Sequence, residues 1–498
     1  MRLLLIMLAL ATNAVNGSEY FVATNGSSAN PGTISSPLSF AKAVATNSPA
    51  TSGDTIWVRD GIYLGPFTSY LSATSNAPIV VRRYLHERPI ISTTNQSSAP
   101  LTIHGSNTWY WGLEISQGAG MAINRLASMA NGIDTQGQGT RLINLVSHDN
   151  EEGYGFWEGA SNAVMYGCVA YHNGWWSTNN GRHGHAVYTQ NLNGTKLLKD
   201  CIWFDNFSFG MHAYGTAAHL NNFRVAGNVS FNNGMVTGGS APGFFMGSEG
   251  EPIINALIET NFSYFSSADG AGFVFGYHED GTNGDIAINA SYLGRSQLQI
   301  VNPWNSIVIT NCTFRVPVTP LHNRLVDTVP DIDTAAIVWN WNTYHAATTS
   351  AGFAINGVGF FTLSQWQSSK GRDLNSTLIT NAPSQTDIFV RTNEYEAGRA
   401  NIIVYNWGLS NVVNVDLSGL VPTRQHYVVQ NVQDYFGAPV WSGVYDGGTI
   451  ALPMTNLVSS PPMYWATNTE PTWPEFAVFV IEQSGQSQVR MTVTARPQ

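Results

Sequence analysis

Between residues 144 and 314, apolar and polar positions alternate over short stretches, and one four-residue phrase keeps returning. It reads Asn144-Leu-Val-Ser, Cys168-Val-Ala-Tyr, Cys201-Ile-Trp-Phe, Asn228-Val-Ser-Phe, Asn261-Phe-Ser-Tyr, Asn289-Ala-Ser-Tyr and Asn311-Cys-Thr-Phe. Period-two alternation over such runs predicts short strands. A strand recurring once per coil of chain cannot bury its own face and must stack on the next copy, so the pattern predicts an all-β parallel solenoid. Stacking places equivalent residues about 4.8 Å apart. Asn228, Asn261, Asn289 and Asn311 are then expected to form a ladder of side-chain amides, although several also read as N-x-Ser/Thr glycosylation acceptors. Cys168 and Cys201 share the column, where adjacent parallel rungs suit a disulfide poorly.

A second strand in each coil, aligned on Gly155, Gly184, Gly210, Gly243 and Gly272, divides into two faces. With Val187 and Thr189 inward, Ala186, Tyr188 and Gln190 point outward. His212 and Tyr214, then Glu249, then His278 follow on later coils. Polar and aromatic side chains thus gather along one exterior strip of roughly 15 to 20 Å, the length of a few sugar units. An alternative leaves His185 and His212 inside, bonded to turns. The two longest intervals between phrases send extra residues out as loops, one carrying Trp175, Trp176, Arg182 and His183. Loops on a rigid scaffold commonly bind ligands, and indole faces stack on sugar rings; packing beneath the loop is the competing role for the two tryptophans.

Composition narrows the classes. The chain has 498 residues, of which 11% are charged, with net charge -10. This excludes charge-driven disorder and makes nucleic acid and anionic membranes unfavourable partners. Arg2, the apolar run Leu3 to Ala11 and the small residues after it predict a secretory signal peptide, hence a secreted, periplasmic or extracellular protein. No segment is long enough to span a bilayer, and a monomer is the expected state. Three cysteines make no disulfide scaffold, and their spacing suggests no structural zinc. Nothing points to a nucleotide loop or a serine-hydrolase elbow.

Three runs near the N-terminus carry a resemblance: Tyr20-Phe-Val-Ala-Thr-Asn-Gly-Ser-Ser-Ala-Asn-Pro-Gly-Thr, Pro37-Leu-Ser-Phe-Ala-Lys-Ala-Val and Gly53-Asp-Thr-Ile-Trp-Val-Arg-Asp-Gly-Ile-Tyr. They resemble the cap of secreted right-handed parallel β-helix proteins, the pectate-lyase-like superfamily of carbohydrate-active enzymes. Phe40, Ala41 and Val44 would form the apolar side of a capping helix. Thr362-Leu-Ser-Gln-Trp-Gln with Gly371-Arg-Asp is similar to the group's closing module. Arg399-Ala-Asn-Ile-Ile-Val-Tyr-Asn-Trp resembles terminal β-sandwich modules. The expected organisation is a signal peptide over 1–17, a right-handed parallel β-helix with an N-terminal helical cap over 18–382, an antiparallel β-sandwich over 383–485 and a polar tail over 486–498.

Carboxylates supply the sharpest chemistry. Glu249 and Glu251 end one coil's strand, and Glu279 and Asp280 fall at the matching place on the next. Members of the two pairs about 5 to 9 Å apart would serve a glycoside hydrolase, one as acid and one as nucleophile or base, with no cofactor required. His212, Tyr188, Gln190, Tyr214 and His278 would position the sugar, with Arg182 and His183 nearby and Trp175 or Trp176 stacking. An earlier acidic stretch, Asp149-Asn150-Glu151-Glu152 with Glu158, is an alternative location. Clustered hard oxygens also bind Ca²⁺. The resemblance then implies a calcium-assisted polysaccharide lyase, with Glu249, Glu251, Glu279 and Asp280 as ligands and Arg182, His183, Tyr188 or His212 as base. Lys196 and Lys199 read as structural. Net charge disfavours a polyuronate unless a metal compensates, which places hydrolysis first. A noncatalytic glycan-binding surface protein is the third reading. Common to all three is a polysaccharide or oligosaccharide partner.

Overall fold

Each turn of the chain lays down three short strands, one in each of three twelve-stranded sheets. The computed structural model describes residues 17–266, 270–278, 281–315, 326–328, 336–345, 352–381 and 383–484. The expected leader, the polar tail, and Glu279 and Asp280 lie outside the described residues. In the central coils sheet 1 contains Arg141–Ile143, Val164–Tyr166 and Lys196–Lys199. Sheet 2 contains Val146–His148, Val169–Tyr171 and Ile202–Phe204. Sheet 3 contains Tyr154–Phe156, Val187–Thr189 and Met211–Ala213. Among the described residues pairing between coils is parallel, and in the three sheets only Gly359–Phe361, which ends sheet 3, runs antiparallel. The expected β-helix is the fold, filled by a continuous apolar core that includes Leu142, Met165, Val187, Trp203 and Met211.

Both ends are closed by helices. Phe40–Val44 is capped by Ser39 and buries Phe40, Ala43 and Val44. Ala41, expected on the buried side, is exposed, because at 100° per residue positions i, i+3 and i+4 share a face while i+1 turns away. At the far end Leu363–Lys370 begins with a capping box between Thr362 and Gln365. It plugs the solenoid with Trp366, which stacks on Phe353 at 5.3 Å.

The recurring phrase marks the corner from sheet 1 into sheet 2, in a register that corrects the expected column. The rung reads Cys168, Cys201, Asn228, Asn261, Ser291 and Cys312, each preceding a residue paired across the coils. Asn228 accepts the Cys201 N–H at 2.9 Å, and Asn261 accepts the Asn228 N–H at 2.9 Å. Asn289 and Asn311 lie outside this ladder. Asn289 accepts from Asn311 at 3.2 Å on the partly exposed edge. The corner keeps its length, with Ala226, Glu259, Asn289 and Thr310 each standing three residues before the first sheet-2 residue, but Ser291 and Cys312 hold the ladder place, so matching by residue type slips the register by one or two. A second ladder, not anticipated, runs along the corner from sheet 2 to sheet 3. There Gln117, Asn150, Asn173 and Asn206 donate their N–H groups to the side-chain oxygens of Asn150, Asn173, Asn206 and Asn233 at 2.9 to 3.2 Å. Cys168, Cys201 and Cys312 are free thiols, all buried.

Beyond the solenoid, strands Thr386–Thr392, Ala400–Asn406, Phe476–Gln483, Gln425–Asn431 and Trp441–Tyr445 form an antiparallel sheet in that order, with Val412–Asp416 and Thr449–Pro453 paired beside it. The larger sheet lies on the outer face of sheet 2, where Tyr171, Phe204, Phe231 and Tyr264 meet Tyr405, Phe476 and Val478 in one apolar cluster. A sheet-2 strand such as Val169–Tyr171 is therefore buried on both sides, which explains its unbroken apolar character. Gly294 permits a close approach: a Cβ there would stand 2.5 Å from the Tyr405 ring.

Candidate functional site

With the outer face of sheet 2 covered, the central polar strip is that of sheet 3. Register sets its members: Gly155, Tyr188, His212, Phe245 and Val274 succeed one another across five coils. Tyr188 and His212 thus face outward, as period two predicts. Ala186 does not; it belongs to the core. The inward column is Gly153, Ala186, Gly210, Gly243 and Gly272, so alignment on Gly155 and Gly184 was two residues out.

His212 sits at the centre of the strip. Its ring lies parallel to Phe209 at 4.4 Å and to Tyr214 at 4.9 Å, and edge-on to Tyr188 at 5.1 Å. Its proton can be placed by elimination. The Phe209 backbone N–H donates to His185 Nδ1 at 3.1 Å. A neutral His185 therefore carries hydrogen on Nε2, which lies 3.0 Å from His212 Nδ1. Burial drives both imidazoles toward the neutral form, His212 to about 3. His212 consequently holds its hydrogen on Nε2, which has no partner among the described residues, and is a fixed donor on the outer face of sheet 3.

Carboxyl groups flank this donor on both sides. Glu152 accepts the His185 backbone N–H at 2.6 Å, and burial together with neighbouring Glu151 raises its carboxyl well above the usual range. On the far side the Tyr214 hydroxyl donates to Glu249 Oε1. His278 Nδ1 donates to the Glu249 carbonyl at 3.0 Å, and Gln190 Nε2 donates to the Tyr214 carbonyl at 3.0 Å. Burial, with the carboxyl groups of Glu152 and Glu249 nearby, pushes the Tyr188 phenol up to about 12. Its hydroxyl has no partner among the described residues.

The loop with the paired tryptophans is a hairpin, Trp175–Ser177 against Gly181–His183, beside the strip. Trp175 stacks on His183 at 4.3 Å and donates from Nε1 to Glu151 at 3.0 Å, so one face of its indole is already covered. Trp176 pairs with Arg182 across the hairpin, and Arg182 Nη1 donates to the Gly239 carbonyl at 2.9 Å. Lys196 is inside the coil, donating to the Trp157 carbonyl at 2.8 Å, as its place beside the repeat suggested.

Of the expected residues, the fold brings together Tyr188, Gln190, His212, Tyr214, Glu249 and His278. Glu251 lies beyond Glu249 on the same loop, its N–H on Ser248 Oγ at 3.4 Å. The opposing pair, Glu279 and Asp280, is outside the described residues, so no two-carboxylate geometry across coils is on view. Among the described residues no three His, Cys, Asp or Glu side chains converge to hold a metal ion, and Glu249 is already engaged by a phenol. The described residues do not by themselves compose a calcium site. Sequence reasoning missed Phe209 and Phe245 and the proton order of His185 and His212. Phe245 was readable, being two residues past the column glycine, like His212.

A polar and aromatic strip on one face of a right-handed parallel β-helix defines the class. Residues 20–271, half of the chain, match the family model described as Pel9A-like, right handed beta helix region. The chain belongs to that family, a carbohydrate-active β-helix group. No curated protein matches it. Solved structures similar to it include pectate lyase Pel9A, at 18% identity over 59% of this chain and 78% of that one, with TM-score 0.41. A rhamnogalacturonan lyase matches at 17% identity over 62% and 84%, with TM-score 0.45. XylC in complex with xylose matches at 9% identity over 93% and 100%, with TM-score 0.46. None is near enough to transfer a residue's role.

Proposed function

We propose that this protein is a polysaccharide lyase that cleaves a uronate-containing glycan by β-elimination on the outer face of sheet 3. The observation that carries the reading is the fixed His212 Nε2–H, a neutral donor held between two tyrosines, one of them paired with a carboxylate. Membership of a family named for Pel9A, a pectate lyase, points the same way.

Elimination needs three things of the site. A donor to the uronate carboxylate acidifies the C5 hydrogen, and His212 supplies it. A base takes that hydrogen: Tyr214 oxygen accepts it while its own proton passes to Glu249. The C4–O4 bond then breaks as C4=C5 forms, and the leaving O4 takes a proton from Tyr188, which its surroundings keep protonated.

The test is digestion of pectate, rhamnogalacturonan and alginate, with a neutral xylan as control. Ultraviolet absorbance from an unsaturated uronyl end, appearing with the new reducing ends, is expected. Tyr214→Phe should lower kcat/KM by about 10²- to 10⁴-fold, the usual worth of a positioned proton-transfer group. New reducing ends without that absorbance would refute elimination. Hydrolysis is the second reading, favoured by Glu152, a carboxyl kept protonated beside the strip as a general acid requires. Under it Glu152→Gln is the damaging change, and the products are saturated.

A further inference from the structure

The two outward rows of sheet 2 change character toward the C-terminal coils. Under the sandwich they read Ile202, Val229, Phe262, Tyr292 and Phe204, Phe231, Tyr264, Gly294. The next coils place Thr313 and Thr343 in the first row and Arg315 and His345 in the second. Between these polar residues and the edge strand Thr386–Thr392 lies a cavity of about 600 Å³, within the roughly 300–1,000 Å³ of small-molecule sites. It is on a different face from the sheet-3 strip.

Two polar side chains in this cavity each leave one nitrogen unsatisfied. Arg315 is 5% and His345 8% exposed, yet Arg315 Nε and His345 Nδ1 have no hydrogen-bond partner among the described residues. A buried polar atom without a partner is costly, and the same rows are apolar a few coils earlier. The charges decide what kind of guest fits. Arg315 Nη2 is 3.1 Å from Asp387, and Arg391 is paired with Asp200. Burial, with Arg315 beside it, keeps His345 neutral down to about 4. Each cation already has its anion, so a charged guest would have to displace one. A polyol would not. Tyr292 and Phe389, 5.4 Å apart, add aromatic surface for a pyranose ring.

We propose that this cavity binds a neutral mono- or disaccharide, a second glycan site between the solenoid and the sandwich. Arg315 Nε–H and His345 Nδ1 bond to ring hydroxyls, with Thr313 and Thr343 beside them. The proposal is independent of the elimination reading, since no residue of the sheet-3 strip takes part.

Calorimetric titration of the full chain with D-galactose, D-xylose, galactobiose and xylobiose tests it, with D-galacturonate as the charged arm. At least one neutral sugar should bind saturably. Thr343→Val and His345→Phe should each weaken it about tenfold or more, while His212→Ala in the sheet-3 strip leaves it unchanged. His345→Phe should not lower Tm, because it removes an unsatisfied nitrogen. No binding of any neutral sugar, binding of galacturonate alone, or binding lost in His212→Ala but kept in His345→Phe would each overturn the proposal.

Discussion

His148 is buried and nevertheless carries a charge. Burial alone would lower its pKa, but hydrogen bonds to Asp149 at 2.7 Å and Glu114 at 3.0 Å outweigh that and raise it to about 9. Burial would raise Asp149, but Arg125 and His148 pull it down to about 2. For a group raised on folding, the stabilisation is complete below the unfolded value, about 6.5, and disappears as pH climbs through the folded one. The Asp149 share is present above its unfolded value of about 3.9 and lost only as pH falls through about 2. Urea midpoints should therefore fall between about pH 6.5 and 9, and His148→Asn should flatten that fall. His212 behaves in the opposite sense, staying neutral down to about 3. Cleavage should show no acid limb near pH 6.5; a limb there that vanishes in His212→Gln would contradict the neutral pair. Tyr188, His212, Tyr214 and Glu249 were legible because period two exposes alternate residues. Glu152 and His185 acquire their roles from a backbone N–H one coil away, a contact that no spacing within a single strand encodes.

Along the corners of the solenoid, asparagine does for stacked coils what backbone pairing does for strands. Asn206 accepts the Asn173 N–H at 3.1 Å and donates to the Ala170 carbonyl at 3.1 Å, entirely buried. Asn206→Ala would strand both groups, at about 1–3 kcal/mol for each one left unpaired. Asn311→Ala, outside the ladder, should stay within about 0.5 kcal/mol. Urea unfolding of the two variants measures the difference, and equal losses would mean that the ladders contribute nothing particular. The repeat revealed the architecture because every coil needs the same inward pattern. It misassigned Asn289 and Asn311 because residue identity was followed where Ser291 and Cys312 take the ladder place. The second ladder was in plain view: Asn150, Asn173, Asn206 and Asn233 each stand four residues after the first residue of a sheet-2 strand.

The whole molecule holds together as a solenoid with one wall built by another unit. Without residues 383–498, Tyr171, Phe204, Phe231 and Tyr264 would face water as a contiguous aromatic patch of the kind that drives aggregation. The truncated chain should precipitate or elute as aggregate in size-exclusion chromatography; a soluble, monodisperse product would show that the wall is dispensable. Net charge -10 gives a further expectation. A polyuronate is repelled at long range, and added salt screens that repulsion, so KM should fall as ionic strength rises, whereas a neutral glycan would show no trend. The same wall restricts how the molecule can change length. Glu482 reaches Arg83 at 3.3 Å, and Asp387 reaches Arg315 at 3.1 Å many coils further on, so the sandwich measures off a fixed stretch of solenoid like a ruler. A winding gained or lost between those two points would throw every later attachment out of step by one rung. In descendants of this chain, growth and shrinkage should be confined to the windings outside that stretch.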